Sequence, residues 1–309
     1  MIKFSEIIKK ESPVRREPPL EKGEKFKVPI RKEKKEISYP ELLDFSRKIW
    51  SKIEKGEKIN LEDLKNRMAE IVVSFSPNFF SEYWENLISD YPILGYFPHH
   101  SLNVCLFSLA MGMERKYSQE KLIDLGIAAL LHETGMIFVP KEILFANREL
   151  TADEKKVHIN HHPIYGYEKL KEIEGVNEDV LQAVRQEHER ADAKGYPVGD
   201  KDEQIHEWAK IIGLADTFEA MTHSRSFRKG RPANEVISEI IKVNGRMFTR
   251  SILKALLRQI GLYPIGTWVR LTTGEVAKVI RIIPDFPGRP EVEILFSSER
   301  HKLETPQEA

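Results

Sequence analysis

The stretch AALLHETGM, residues 128–136, is the one that decides how this chain folds. Its apolar residues end a helical segment that starts near Gln119, His132 and Glu133 follow at once, and Gly135 permits a sharp turn. Because the apolar turns bury the end of the helix, we expect the adjacent imidazole and carboxylate to project into the interior. An isolated His-Glu pair at a helix end is more often structural than functional, so its interpretation depends on the other polar residues around it.

Those other residues are numerous and regularly spaced. Nine of the ten histidines lie between His99 and His223. Further candidate ligands follow His132 at intervals of roughly 30 residues, each long enough for one helix-turn-helix excursion, so a helical bundle can bring them to one centre. Asp216 lies in the apolar context IIGLADTF, where an unpaired carboxylate is costly to bury and a metal ion would offset the cost. Imidazole and carboxylate together bind iron, manganese or zinc, so the pattern predicts a metal centre.

The chain divides into four parts. Residues 1–38 are charged and are predicted to form a tail or linker, and residues 39–92 a small N-terminal helical region. Residues 93–261 are predicted to form an all-α bundle that carries the metal centre. In residues 262–309, apolar and polar residues alternate between turn signals, which predicts a short antiparallel β extension followed by a polar tail.

Composition limits the classes of partner. The formal net charge is zero, which provides no global field for a nucleic-acid polymer or an anionic membrane. No run approaches the ~20 apolar residues of a membrane span, and the N-terminus lacks the apolar core of a signal peptide. Cys105 is the single cysteine, so no intrachain disulfide can form. We therefore expect a cytoplasmic protein, and the aromatic residues of 39–92 suggest a homodimer.

Four motifs in order make residues 98–309 resemble an HD-GYP domain, a subfamily of the HD metal-dependent phosphohydrolases. HETGM stands where that family has HDIGK, and HHPIYGYEKL resembles its HPxxGxxIL segment. EHERADAKGYP stands where it has HHExxDGxGYP, and LADTFEAMTHSRSFR resembles VADxFDAxTxxRPYR. The C-terminal segment is similar to the strand extension that follows many of these domains. The first 90 residues are not covered by the resemblance.

The resemblance implies a helical bundle with two or three metal ions, usually iron or manganese, that hydrolyses cyclic di-GMP to the linear dinucleotide or GMP. A hydroxide activated by two metals would attack the phosphate, with Glu133 as the bridging carboxylate and His132 as its catalytic neighbour. Arg225 and Arg228 match positions that contact the dinucleotide phosphates, and Tyr196 would shape the mouth of the pocket. By position, the metal ligands would be His100, His132, Glu133, His162, Glu187, His188 and Asp216.

Five positions depart from the family pattern. Glu133 replaces an aspartate, Glu187 a histidine, Met136 the lysine of HDIGK, and Ala193 a glycine. Tyr96 stands where members with three metals tend to have a glutamate, so we expect two metals here.

These departures leave two main hypotheses. The first is an active cyclic di-GMP phosphodiesterase. The second is a catalytically weak or inactive module that binds cyclic di-GMP, or a protein partner through the GYP loop or the N-terminal region. Another phosphoester substrate of the broader HD superfamily is a third reading.

Overall fold

The computed structural model describes residues 37–75, 79–92, 95–225, 228–243, 247–297 and 302–308. The predicted tail, residues 1–38, therefore lies outside the described residues except for its last two positions. The longer helices are α1 (Tyr39–Lys55), α2 (Leu61–Ser74), α3 (Phe79–Ile88), α4 (Tyr96–Glu114), α5 (Gln119–Leu131), α6 (His162–Lys171), α7 (Glu178–Gln186), α8 (Glu207–Thr222), α9 (Ala233–Val243) and α10 (Arg250–Ile260).

Shorter helical pieces join them. A 3₁₀ helix, His132–Phe138, follows α5 directly, and single turns lie at Lys141–Leu144, Ala152–Glu154 and Asp202–Gln204, with a π turn at Lys155–Ile159. Two N-terminal caps are present: Asn60 accepts the backbone N–H of Asp63 before α2, and Thr151 and Glu154 cap each other's backbone N–H groups.

The core is built around α4, which is mostly apolar and is buried on every side along nearly its whole length, from Pro98 to Gly112. Helices α1, α5, α8 and α10 pack around it. One continuous apolar cluster runs from Leu42 and Trp50 in α1 to Leu257 in α10. The N-terminal helical region thus shares its core with the bundle, while the predicted domain boundaries stay a prediction.

The C-terminal strands form a separate small sheet. Strands β1 (Trp268–Arg270), β2 (Val276–Arg281), β3 (Glu291–Phe296) and β4 (Lys302–Glu308) pair antiparallel in chain order. Ala277, Val279 and Val292 form the buried centre of this sheet. The predicted fold class, a helical core with a β extension, is confirmed, although β4 lies where a polar tail was predicted. Among the described helices, none has both the length and the apolarity needed to cross a membrane.

Candidate metal centre

Two glycines let the ligand-bearing segments approach each other closely. A Cβ on Gly135 would lie 1.9 Å from the carbonyl oxygen of His162, so the turn after α5 packs directly on the start of α6. A Cβ on Gly213 would lie 2.3 Å from the carbonyl oxygen of Glu187, so α8 packs as closely on the end of α7. Side chains larger than hydrogen would separate these backbones. The glycines therefore set the spacing of four helices around one point.

All seven predicted ligands meet at that point, in two adjoining groups. Within each group, one potential ligand atom per residue lies within 4.8 Å of all the others. Six of the seven residues are buried and His188 is half-buried, while His100, His132 and Glu187 have no exposed surface. The first group is His100, His132, Glu133 and Asp216, and the second is His162, Glu187 and His188.

The three carboxylates link the two groups. Glu133 places Oε1 3.6 Å from Nε2 of His100 and Oε2 3.4 Å from Nε2 of His162. Glu187 places Oε2 3.6 Å from Nε2 of His132 and Oε1 3.3 Å from Nε2 of His162. Asp216 places Oδ1 3.3 Å from Nε2 of His100 and Oδ2 3.9 Å from Nδ1 of His188. Each carboxylate thus faces a histidine of both groups, which is the arrangement of a bridging ligand.

Three of the histidines are held so that Nε2 faces the centre. Nδ1 of His132 donates to the carbonyl oxygen of Ala129 at 2.7 Å, and Nδ1 of His162 donates to that of Ile159 at 2.8 Å. Nδ1 of His100 donates to Oε2 of Glu219 at 2.6 Å. An acceptor at Nδ1 selects the tautomer whose Nε2 carries a free lone pair, which is the form that binds a metal.

The unsatisfied polar atoms of the centre fit a cation. In the described part of the chain, Nε2 of His100 and His132 and one carboxylate oxygen each of Glu133 and Glu187 are buried without a hydrogen-bond partner. Such atoms are costly to leave unpaired. Donor atoms about 2.1 Å from one ion stand about 3.0–3.5 Å from each other. Three of the six separations above lie in this range, and the other three are 3.6–3.9 Å. The donor set of imidazoles and carboxylates therefore fits a divalent metal ion.

The pKa shifts of the ionisable side chains in the centre also favour a bound cation. Burial alone would raise the pKa of Glu133, but the charge of His162 and the nearby rings of His100 and His132 lower it to about 2. Burial alone would lower the pKa of His162, but Glu133 and Glu187 raise it to about 9. Burial lowers the pKa of His188 to about 4. The centre thus keeps Glu133 and Asp216 ionised and holds a proton on His162 that a metal cation would replace.

Comparison with known proteins agrees with this geometry. Residues 82–252 match the HD domain, more than half of the chain. The chain belongs to the HD domain family. The match begins inside α3 and ends inside α10, so it contains all seven residues of the centre. Residues 268–309, which include β1 to β4, match a KOW domain associated with the HD domain.

Several relatives of this HD domain protein are named cyclic di-GMP phosphodiesterases. The chain is 32% identical over 209 residues to the cyclic di-GMP phosphodiesterase PA4108 of Pseudomonas aeruginosa. The aligned region covers 68% of this chain and 50% of that protein. The chain is 27% identical over 199 residues to the cyclic di-GMP phosphodiesterase PdeB of Borreliella burgdorferi, covering 64% and 52%. The chain thus spans about half the length of these two relatives.

One solved structure supports the fold. Bd1817, an HDG"Y"P protein of Bdellovibrio bacteriovorus, superposes with a TM-score of 0.55 over 70% of this chain and 67% of that one, at 17% identity. At this identity the likeness concerns the HD domain fold alone.

Tyr196 lies against the metal centre of this HD domain. Its ring stacks on that of His188 with centroids 4.6 Å apart, and its backbone N–H donates to the carbonyl oxygen of His188. The side chains of His188 and Asp216 keep 13% and 12% of their surface exposed, whereas the remaining members of the centre keep less. Tyr196 therefore stands on the side where the centre opens to solvent.

Glu189 holds the loop that carries Tyr196, and sequence reasoning missed it. Its buried carboxylate accepts the backbone N–H groups of Val198, Gly199 and Asp200 at 2.7–3.0 Å. The available signal was its place in the EHE triplet, directly after two candidate ligands. Such a carboxylate, satisfied by several backbone donors, fixes the loop.

The two candidate substrate-binding arginines already have contacts. The guanidinium of Arg225 lies over the ring of Tyr96 at 4.1 Å, and that ring stacks on His100. Arg228 donates to the carbonyl oxygens of Ala220 and Met221 at the end of α8. Arg225 thus contacts a ring that packs on a predicted ligand, whereas both terminal nitrogens of the Arg228 guanidinium donate to backbone carbonyls within the protein.

Proposed function

We propose that this chain is an HD-GYP phosphodiesterase that hydrolyses cyclic di-GMP to the linear dinucleotide or GMP with two divalent metal ions, iron or manganese. The single observation that carries the proposal is the joining of four histidines and three carboxylates in one buried centre that opens on one side. The relatives named cyclic di-GMP phosphodiesterases supply the substrate class.

Glu133, His132 and Glu187 would each have a distinct role in holding the metal ions. When bound, two divalent ions supply Lewis acidity, which makes water a stronger nucleophile and neutralises charge on the phosphate. Glu133 would bridge both ions because its two oxygens face the two histidine groups, and His132 beside it would hold the first ion. Glu187 would form a second bridge, and its added negative charge favours a hard ion.

Substrate would approach across the open side. Tyr196, stacked on His188, would border the phosphodiester and exclude water from one flank of the site. Arg225 and Arg228 would donate to the phosphates with the N–H groups that their internal contacts leave free. Met136, half-buried after the ligand pair, adds no positive charge near the phosphate.

A second candidate function follows from Met136 and from the internal contacts of Arg228. With fewer cations at the phosphate, the centre would bind cyclic di-GMP, or a protein partner at the GYP loop or the N-terminal region, with weak or no turnover. In this second function the metal centre is retained, and only the rate of cyclic di-GMP hydrolysis is low or zero.

The test is anaerobic turnover of cyclic di-GMP by protein loaded with ferrous iron or manganese, with products separated by chromatography. We expect linear dinucleotide or GMP, loss of both in His132→Ala, and full activity in His161→Ala, whose exposed ring lies next to His162 but outside both groups. Tight binding of cyclic di-GMP without product would favour the second function, and equal turnover by His132→Ala would refute the centre.

A further inference from the structure

A buried polar network joins the N-terminal helical region to the metal centre. Its middle is Glu219, which has no exposed surface and lies one helical turn after Asp216 on α8. One carboxylate oxygen, Oε2, accepts from Nδ1 of His100 at 2.6 Å. The other, Oε1, accepts from the hydroxyl of Tyr91 at 2.7 Å and from Nδ2 of Asn103 at 3.3 Å. Glu219 thus holds a predicted metal ligand with one oxygen and is itself held by the other.

The network reaches further, to the first residue of α1. The hydroxyl of Tyr39 donates to Oδ1 of Asn103 at 2.8 Å, and its side chain is buried. Because Asn103 receives this bond on its oxygen, its amide group is turned so that Nδ2 faces Glu219. Tyr39 lies outside the region that matches the HD domain, which begins at residue 82.

Tyr91 is fixed in its turn from both sides. Its ring stacks on that of His99 with centroids 4.8 Å apart. Its neighbour Asp90 accepts both the backbone N–H and the hydroxyl of Ser224 at 2.7 Å, which ties the segment before α4 to the segment after α8. The hydroxyl of Tyr91 therefore has one defined position, facing Oε1 of Glu219.

The physical consequence concerns the orientation of His100. A carboxylate behind a ligating histidine fixes the ring and makes its free nitrogen a better donor to the metal. A buried carboxylate that loses one of its donors is poorly solvated and reorients. Burial also raises the pKa of the Tyr39 and Tyr91 phenols, so both remain hydrogen-bond donors across the physiological range.

We propose that Tyr39 and Tyr91 are positioning residues of the metal centre, which act through Glu219 to hold Nε2 of His100 towards the metal. This inference rests on the proposed metal-dependent function, because it requires that His100 is a ligand. It gives the N-terminal helical region a defined role: the region completes the support of a ligand that it does not itself supply.

The test compares single hydroxyl deletions. In Tyr91→Phe and Tyr39→Phe each ring is kept and one donor is lost. The matched control is Tyr83→Phe, since Tyr83 lies in the same region and its hydroxyl donates to the backbone carbonyl oxygen of Ile37 at 2.7 Å and not to Asn103 or Glu219. Manganese affinity of the full chain is measured by titration, and cobalt(II) absorption spectra report the ligand field.

We expect Tyr91→Phe to weaken manganese binding about tenfold, Tyr39→Phe to weaken it less because it acts through Asn103, and Tyr83→Phe to leave it unchanged. The cobalt(II) spectrum should shift in the first two variants alone. Thermal unfolding of the metal-free variants checks that all three are folded.

Wild-type affinity and spectrum in both Tyr91→Phe and Tyr39→Phe would overturn the inference, as would an equal loss in Tyr83→Phe. Failure of the wild-type chain to bind metal would instead overturn the proposed function and, with it, this role. Metal binding at wild-type strength in the variants together with a working wild-type enzyme would refute the positioning role alone.

Discussion

Replacing Gly135 by alanine should dismantle the metal centre without touching any ligand. The new Cβ would lie 1.9 Å from the carbonyl oxygen of His162 and 2.6 Å from the backbone nitrogen of Gly166. Carbon and carbonyl oxygen approach to about 3.3 Å, so the two segments must separate by more than about 1 Å. Both obstacles are backbone atoms, which cannot move aside as a side chain would.

The displacement is large compared with what a metal site tolerates. Ligand distances must stay within about 0.2 Å of their ideal values, and His162 would move several times as far. We expect manganese affinity to fall by about 100-fold. Overpacking should also lower the free energy of unfolding of the metal-free protein by about 3 kcal/mol, the upper end for such changes.

The assay is thermal unfolding with and without manganese. At a concentration 100 times the wild-type Kd, the metal should stabilise the wild-type chain by about 2.7 kcal/mol, but a variant with 100-fold weaker binding by only about 0.4 kcal/mol. The matched control is Gly56→Ala: Gly56 has φ +66° with open space around it, so alanine there should cost about 1 kcal/mol and leave the metal effect intact. Full stabilisation of Gly135→Ala by manganese would refute the reasoning.

Three further predictions concern the loop, the pH dependence and the rate. Glu189→Ala removes the acceptor of several loop N–H groups, so trypsin should cut after Lys194 faster than in the wild type, whereas exposed Glu203→Ala should be cut at the wild-type rate. Manganese affinity should rise by at least tenfold per pH unit from pH 7 to about 9, because two predicted ligands must lose a proton to bind metal. The pKa of His162 is raised to about 9, and the charge of Glu219 raises the pKa of His100 well above its usual value despite burial; titrations that give one affinity over this range would contradict this. Because the pKa of His162 is raised in the folded chain, protonation of His162 stabilises the metal-free fold. This contribution is complete below about pH 6.5 and is lost as the pH rises through 9. Met136→Lys should increase kcat for cyclic di-GMP about tenfold by adding a cation near the phosphate, and an unchanged kcat in chromatographic assays would show that no cation is missing there.

The seven candidate ligands were predicted from the family resemblance, and some of them also carry a local signal. Asp216 lies in an apolar helix, where burying a carboxylate without a cation or hydrogen-bond donor is energetically costly. Gly135 marks the close turn that follows His132 and Glu133. These signals need no knowledge of distant contacts. The structure brings all seven residues together, and their binding of metal stays a prediction for experiment.

The supporting residues could not be predicted in the same way. Tyr39 and Asn103 are 64 positions apart, and Tyr91 and Glu219 are 128 apart, so nothing in the local sequence links them. Glu219 did carry one signal, since it lies one turn after Asp216 on the same buried helix. A buried carboxylate in that place requires donors, but the sequence does not say which segment supplies them.

Substrate contacts of Arg225 and Arg228 could be predicted from the sequence only in part. Sequence resemblance assigns phosphate binding to Arg225 and Arg228, but it does not show which acceptors each guanidinium already has. The structure stacks Arg225 on Tyr96 and sets Arg228 against the carbonyl end of α8. Their role in substrate binding, like the predicted homodimer, stays a prediction.

The most direct test of the metal centre is anomalous diffraction from crystals of the chain grown with manganese under anaerobic conditions. We expect two anomalous peaks in each chain, one among His100, His132, Glu133 and Asp216 and one among His162, Glu187 and His188. Asp216→Ala, which removes a carboxylate that faces both groups, should abolish both peaks. Crystals that hold manganese elsewhere, or that show no peak between these side chains, would contradict this prediction.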